Sequence, residues 1–240
     1  MVHSGTSGVF TGYRDRHSHF SRRLAVVQQA LHRAITDAPD GPVCVLDICG
    51  GEGQVLLPVV AAHPRRPDVR AFMIEFDPAS ITAAAARIAE LGLTQVTVLG
   101  GDAGLSEVYV GLPRAQVVIM SGVLVHLSPA DRARAIRFLP RLCAANATFI
   151  WTIGNRLDPT RTRRVHRTVA KNGVEVQRIE SVPRERGDGI RHEVGVGRVG
   201  SSAEPAPRGP RIFRFRVSLD KRYPRLRAFV RRWRGSWRTR

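Results

Sequence analysis

The sequence predicts an α/β fold, a Rossmann-like three-layer sandwich around a mostly parallel seven-stranded sheet. Three observations carry this prediction. Short apolar runs alternate with helical periodicity over residues 43–172, a glycine-rich turn follows the first apolar run, and two further strands with little helix between them close the pattern. Strands that alternate with helices indicate βαβ units and a parallel sheet. The closing pair, at 174–182 and 192–199, predicts an antiparallel edge hairpin.

The elements follow from periodicity and from punctuating residues. A helix is expected over 21–37, where apolar residues recur at helical spacing before Asp40-Gly41-Pro42 ends it. The apolar run at 43–48 is typical of a buried parallel strand. The remaining strands are predicted at 69–75, 95–99, 115–120 and 147–152, and the remaining helices at 54–62, 78–91, 128–143 and 160–172.

The 240 residues suffice for one α/β domain with short extensions. We predict a mobile, polar N-terminal arm over residues 1–20, the domain over 21–199, a linker or loop rich in Ser, Pro and Gly over 200–210, and a basic segment over 211–240. The basic segment is predicted to hold one more strand and then an amphipathic helix. This division implies one hydrophobic core and a separate tail.

The net charge of +18 is concentrated in that tail, which holds 12 Lys and Arg residues against the single acid Asp220. Three interpretations compete: docking on the protein's own core or on a second subunit in a homodimer, binding of an anionic membrane, and binding of RNA or DNA. Docking is favoured over nucleic acid because no known RNA-binding module is evident.

The composition also bears on the compartment. No run of 18 or more apolar residues predicts a transmembrane helix, and the N-terminus lacks the pattern of a secretory signal. Cys44, Cys49 and Cys143 do not have metal-binding spacing. We therefore expect a cytoplasmic protein with reduced thiols.

The strongest motif is the turn after the first strand, Val45-Leu-Asp-Ile-Cys-Gly-Gly-Glu-Gly-Gln54. Glycines at such a position let a ligand approach the backbone at the carboxyl end of a strand. A nicotinamide fingerprint starting at Gly51 would require Gly or Ala at the position that Leu56 occupies. The dehydrogenase hypothesis is therefore weak.

The turn resembles the first motif of the class I S-adenosylmethionine-dependent methyltransferases. In that motif an acid at a strand end precedes three glycines at alternate positions. Here Asp47 is the acid, Cys49 stands in place of the first glycine, and Gly51 and Gly53 match the others, with Gly50 between them. The resemblance covers roughly residues 43–153 and extends more loosely to about 217.

The resemblance implies S-adenosylmethionine as cofactor and gives roles to residues at the next strand ends. Glu75 would bind the ribose diol, and Phe76 would lie against the adenine. Asp102 would accept a hydrogen bond from the adenine amino group, with Ala103 beside the ring. Ser121 and Gly122, after the fourth strand, would line the methionine portion.

The segment after the fourth strand also limits the chemistry. It lacks the Pro-Pro-aromatic sequence of enzymes that methylate amino groups of bases, and it lacks the paired acids of the metal-dependent catechol enzymes, so no metal is predicted. His126 is the candidate general base, although a histidine packed at a helix start is the simpler structural explanation. Further candidates for substrate contact are Tyr13, His17 and His19 on the arm and Trp151 and Arg156 after the fifth strand.

The sequence thus predicts an SN2 methyl transfer to an O or N atom of a small-molecule substrate. Three alternatives stay open at this point. They are an RNA or protein methyltransferase that uses the basic tail, an enzyme that cleaves, cyclises or otherwise uses S-adenosylmethionine, and a non-catalytic protein that retains the pocket.

Overall fold

The structure, a computed structural model, describes residues 18–155, 159–183, 190–204 and 208–215. Within these ranges five α-helices and seven β-strands follow one another along the chain. The helices are α1 (His19–Thr36), α2 (Leu56–Ala62), α3 (Pro78–Glu90), α4 (Pro129–Phe138) and α5 (Pro159–Lys171). The strands are β1 (Val43–Ile48), β2 (Val69–Glu75), β3 (Val96–Gly100), β4 (Ala115–Met120), β5 (Cys143–Asn155), β6 (Val174–Ser181) and β7 (Arg191–Val199).

The seven strands form one sheet in the order β3-β2-β1-β4-β5-β7-β6. Strands β1 to β5 are parallel to one another, and β7 lies antiparallel between β5 and β6. The predicted mostly parallel sheet with an antiparallel edge hairpin is confirmed. Because β1 to β4 are parallel, the loops that follow them lie at one edge of the sheet. The strand order reverses between β1 and β4, which is where ligands bind in open α/β folds.

Both faces of the sheet are covered, as the three-layer prediction requires. One face packs on α1, α2 and α3 through buried residues such as Leu31, Leu57 and Ala84. The other packs on α4 and α5 through residues such as Ile136 and Val169. The five residues of β1 other than Asp47 are apolar and buried, which is the pattern of a central parallel strand.

The helix starts and stops have local causes. Helix α1 begins at His19, two residues before the predicted start, because the Ser18 side chain accepts a hydrogen bond from the Ser21 amide and caps it. Helix α4 ends at Phe138 and not at 143, since Pro140 lacks an amide hydrogen and cannot continue an α-helix. Strand β5 extends beyond its predicted bounds to Asn155 because β7 pairs with it along that length.

Only a short 3₁₀ turn, Ser106–Tyr109, lies between β3 and β4 in place of a full crossover helix. Residues 208–215, which we call the C-terminal strap, pack on the sheet face beside this turn. Ile212 and Phe213 of the strap are 5% and 2% exposed and belong to the core. Burial of two such side chains stabilises the fold by roughly 1.5–3 kcal/mol each.

The strap corrects two predictions made for the C-terminal region. The strand expected at 211–217 is not a strand of the sheet in the described part of the chain; Arg211 and Phe215 form single antiparallel bridges with Leu105 and Leu127. The predicted boundary between domain and tail also falls too early, because Ile212 and Phe213 complete the core. Residues 216–240, including the predicted amphipathic helix, lie outside the described residues. None of the described helices is long and apolar enough to cross a membrane.

Candidate functional site

Three acidic side chains lie near the carboxyl ends of adjacent strands. Asp47 is in β1, Glu75 ends β2, and Asp102 follows β3. The strand register places Asp47 opposite Met73 and Glu75 opposite Gly100, so the three strand ends are level. Burial and the neighbouring Glu75 carboxylate both raise the pKa of Asp47, which agrees with closely spaced acids. The structure thus brings together the acids that the sequence selected separately.

The glycine-rich turn has the backbone that an alternating glycine motif requires. Cys49, Gly51 and Gly53 have φ of 62°, 58° and 80°, so all three alternate positions lie in the left-handed region. A Cβ on Gly53 would also lie 2.5 Å from Leu57 Cδ1. Cys49 therefore adopts the conformation of the glycine it replaces, at a backbone cost of about 1–2 kcal/mol.

The strain at Cys49 gives a first testable prediction. Cys49→Gly and Cys49→Ala both remove the thiol, but only glycine relaxes the left-handed backbone. We expect Cys49→Gly to be more stable than Cys49→Ala by about 1 kcal/mol. Urea unfolding of the two variants measures this difference. Equal stability would show that the turn does not strain residue 49.

The Glu75 carboxylate holds the glycine-rich turn through hydrogen bonds to backbone amides. Its Oε2 accepts a hydrogen bond from the Gly51 amide at 2.9 Å, and its Oε1 accepts from the amides of Phe76 and Asp77 at 2.7 and 2.9 Å. A carboxylate has about four lone-pair positions, so three bonds leave about one for a ligand hydroxyl. Glu75 thus connects the loop after β1 to the loop after β2, a role that its position in the sequence did not predict.

Asp47 is buried at the end of β1 and is 2% exposed. Its Oδ2 has no hydrogen-bond partner among the residues that the structure describes. Burial, and next the Glu75 carboxylate, raise the pKa of Asp47 to about 7. A Cβ on Gly50 would lie 3.1 Å from this oxygen, so glycine leaves open the side from which a cationic group can approach. A buried carboxylate oxygen without a partner is costly, and a ligand cation would relieve that cost.

Asp102 lies in a tight turn after β3. Its Oδ1 accepts from the Gly104 amide at 2.8 Å, and its Oδ2 accepts from Nη1 of Arg211 in the strap at 3.0 Å. The adjacent Ala103 is buried, and its carbonyl accepts a hydrogen bond from the buried Tyr109 hydroxyl at 2.7 Å. Asp102 and Ala103, which the resemblance assigns to the adenine, are thus held by their own turn, by the nearby Tyr109 and by the distant Arg211.

One large apolar side chain is exposed at this edge. Phe76, directly after Glu75, is 39% exposed, which few large apolar side chains are among the described residues. Aromatic side chains together with a few polar groups line the sites that bind flat, apolar ligand groups.

The loop after β4 contains the remaining predicted residues. The Gly122 amide donates to Thr152 Oγ1 of β5 at 2.7 Å, which ties the loop to the next strand. Ser121 is half-buried, and His126 is exposed at the end of a short 3₁₀ turn, Leu124–His126. His126 is therefore not a histidine packed in the core.

Trp151 and His19 make other contacts, and the remaining predicted residues lie outside the described residues. Trp151 is fully buried, donates its indole N–H to His166 Nδ1 at 3.3 Å and occupies the space that a Cβ on Gly195 would need. This placement does not fit direct contact with a substrate. His19, at the start of α1, lies 2.8 Å from His192 between ring nitrogens. Tyr13, His17 and Arg156 lie outside the described residues.

Sequence reasoning missed Arg211, Tyr109 and Thr152. Arg211 and Thr152 act through contacts between segments far apart in the chain: 109 residues separate Arg211 from Asp102, and 30 separate Thr152 from Gly122. Tyr109 bonds a carbonyl only six residues before it. The apolar residues that alternate with arginine in the strap were the signal that it packs on a surface. Among the described residues, no group of three or more His, Cys, Asp or Glu side chains is placed to hold a metal ion.

Comparison with known proteins agrees with this geometry. Residues 45–146 match the family model described as a methyltransferase domain. This segment runs from β1 into β5 and contains the turn, the three acids and His126. The comparison with curated proteins found no significant match.

Solved methyltransferase structures share the fold. Magnesium protoporphyrin IX methyltransferase from Synechocystis PCC 6803 with bound S-adenosylmethionine has a TM-score of 0.56 at 17% identity, over 81% of this chain and 86% of that chain. The N-methyltransferase NodS from Bradyrhizobium japonicum WM9 has a TM-score of 0.57 at 14% identity, over 75% of this chain and 98% of that chain.

An O-methyltransferase family protein from Burkholderia thailandensis has a TM-score of 0.53 at 18% identity, over 79% of this chain. The present chain spans 61% of the length of that protein. At these identities the likeness shows the fold.

Proposed function

We propose that this chain transfers a methyl group to an O or N atom of a small molecule. Its fold and the methyltransferase domain matched by residues 45–146 are those of the class I S-adenosylmethionine-dependent methyltransferase family. The observation that carries the proposal is the set of three acids on adjacent strand ends around the glycine turn. Asp47, at the centre of this set, is buried with an unpartnered carboxylate oxygen.

The residues present fit S-adenosylmethionine. The cofactor carries an ammonium and a sulfonium, and the site offers carboxylates. We assign Asp47 to the ammonium because its buried Oδ2 has no partner among the described residues. Glu75 would accept from one ribose hydroxyl with its remaining lone-pair position. Phe76 would contact the adenine ring, and Asp102 its amino group.

The turn and the loop after β4 would complete the enclosure. Cys49, Gly50, Gly51 and Gly53 form a backbone surface that larger side chains would obstruct. Ala103 would lie beside the adenine, and Ser121 and Gly122 would line the methionine part. When bound, the cofactor supplies an electrophilic methyl group on a positively charged sulfur.

The acceptor must present its nucleophile in line with that methyl group and lose a proton. We propose that His126 takes this proton, since its side chain is exposed in the loop after β4. A neutral imidazole suits the position because it adds no charge repulsion beside a sulfonium. The O and N acceptor classes follow from this base, because a hydroxyl or ammonium acceptor must lose a proton when it takes the methyl group.

A thermal-shift experiment tests the proposed cofactor. S-adenosylhomocysteine at about 100 times its dissociation constant should stabilise the protein by about 2.7 kcal/mol, whereas NADH should not. A shift with NADH and none with S-adenosylhomocysteine would contradict the proposal.

Phe76→Ala locates the binding site in the same assay. Loss of a stacked aromatic ring should weaken S-adenosylhomocysteine about tenfold or more. The matched control is Ile179→Ala, which removes another exposed apolar side chain. Ile179 lies in the edge strand β6, four strands beyond β1 in the sheet, whereas Phe76 follows β2 on the other side of β1. Equal affinity of the two variants would place the cofactor elsewhere.

A further inference from the structure

The C-terminal strap brings a cation to the acid assigned to the adenine. Arg211 Nη1 lies 3.0 Å from Asp102 Oδ2, and the side chains of Arg211 and Asp102 are 19% and 7% exposed. Arg65 and Asp68, a pair on the surface, are 19% and 44% exposed. The Arg211–Asp102 pair is therefore more enclosed, and Asp102 belongs to the proposed site.

The strap is an integral part of the fold and is not a displaceable lid. The Ile212 amide donates to the Gly104 carbonyl at 2.7 Å, and the Ser106 amide donates to the Pro210 carbonyl at 3.2 Å. Phe213 lies in the core, where its carbonyl occupies the space that a Cβ on Gly104 would need. A ligand that reaches Asp102 must therefore bind with Arg211 in place.

Side chains of α4 hold the strap from its other side. Arg134 Nε donates to the Ile212 carbonyl at 3.3 Å, and Asp131 Oδ1 accepts from the Arg214 amide at 3.2 Å. Residue 211 thus lies between two anchored residues, Pro210 and Ile212. Because the backbone is fixed on both sides of residue 211, the guanidinium of Arg211 is held near Asp102.

We propose that Arg211 is a positioning residue that makes the site selective for adenine over 6-oxopurines. With Oδ1 held by Gly104 and Oδ2 held by Arg211, the Asp102 carboxylate is fixed in one orientation and offers only acceptors at its remaining lone pairs. The adenine amino group is a donor and matches it. The 6-oxygen of a hypoxanthine is an acceptor and is repelled.

This inference rests on the proposed function, since it requires S-adenosylmethionine to bind with its adenine at Asp102. Its test compares S-adenosylhomocysteine with S-inosylhomocysteine, the analogue in which the 6-amino group is an oxygen. Isothermal titration of the parent protein should show a preference of about 10- to 100-fold for the adenine ligand. Arg211→Ala should reduce that preference to less than about threefold.

The selectivity ratio separates positioning from a merely structural role. A loosened strap would weaken both ligands equally, whereas a released Asp102 changes their ratio. The matched control is Arg134→Ala, which removes a neighbouring contact to the strap but does not touch Asp102. It should keep the parent's ratio, and Arg211→Lys should restore part of it.

The outcomes distinguish the two proposals. If the parent binds neither ligand, the assignment of the cofactor is wrong, and the role of Arg211 falls with it. If the parent prefers the adenine ligand and Arg211→Ala keeps that preference, only the role of Arg211 is wrong. Tighter binding of S-adenosylhomocysteine by Arg211→Ala would show that Arg211 obstructs the site, which also overturns the inference.

Discussion

Asp47→Asn is expected to stabilise the ligand-free protein at pH 8 while it weakens S-adenosylhomocysteine at least tenfold. In the folded protein, burial and the Glu75 carboxylate raise the pKa of Asp47 from 3.8 to about 7. Above pH 7 the folded protein must hold an ionised, buried carboxylate that water solvates in the unfolded chain. Asparagine has no such charge, so the variant avoids this cost.

The pH dependence follows from the sign of the shift. Between pH 3.8 and about 7 the folded state holds the Asp47 proton and the unfolded state has lost it, so rising pH lowers the free energy of unfolding. The stability difference between Asp47→Asn and the parent should therefore grow from pH 5 to pH 7 and level off near pH 8. Urea unfolding at each pH measures it. A difference that does not change with pH would show that Asp47 does not titrate in this range.

The ligand effect has its own control. Methylthioadenosine keeps the adenosine portion of the cofactor and lacks the ammonium. If Asp47 binds the ammonium, Asp47→Asn should weaken S-adenosylhomocysteine and leave methylthioadenosine within about threefold. Affinity of the parent for S-adenosylhomocysteine should also fall below pH 7, where Asp47 is protonated. Equal losses for the two ligands would instead indicate a distorted turn.

His126→Ala is expected to lower turnover by about 10²–10⁴-fold, the usual contribution of one general base. Binding of S-adenosylhomocysteine should change little. Because His126 is exposed, the fold should tolerate the change. The measurement is the release of S-adenosylhomocysteine with the first acceptor found in a screen of hydroxyl and amine compounds.

A second histidine controls this prediction. His32→Ala removes another exposed histidine, on α1 beside His63 at the end of α2, and should keep the parent's turnover. Near-parent turnover of His126→Ala would mean that water takes the proton.

The sequence by itself determined the sheet, its antiparallel edge and the three acids at successive strand ends. A strand buried on both faces is a short apolar run, and in open α/β sheets the residues that bind ligands come directly after such runs. Both patterns can be recognised within a few consecutive residues. The match was close for β2 and β4, whose predicted bounds, 69–75 and 115–120, are those observed. Cys49 could be assigned to a glycine position because the motif is defined by alternate residues within one short segment, Cys49, Gly51 and Gly53.

Only the tertiary structure decided how those residues are held. It showed that Glu75 binds three amides, that Asp47 keeps an unpartnered buried oxygen, and that Trp151 is enclosed between the sheet and α5. It also joined Arg211 to Asp102 across 109 residues and placed the strap in the core, where the sequence indicated a separate basic tail. The physical reason is that hydrogen bonds and burial depend on distance in space, which the spacing of residues along the chain does not fix once they belong to different elements.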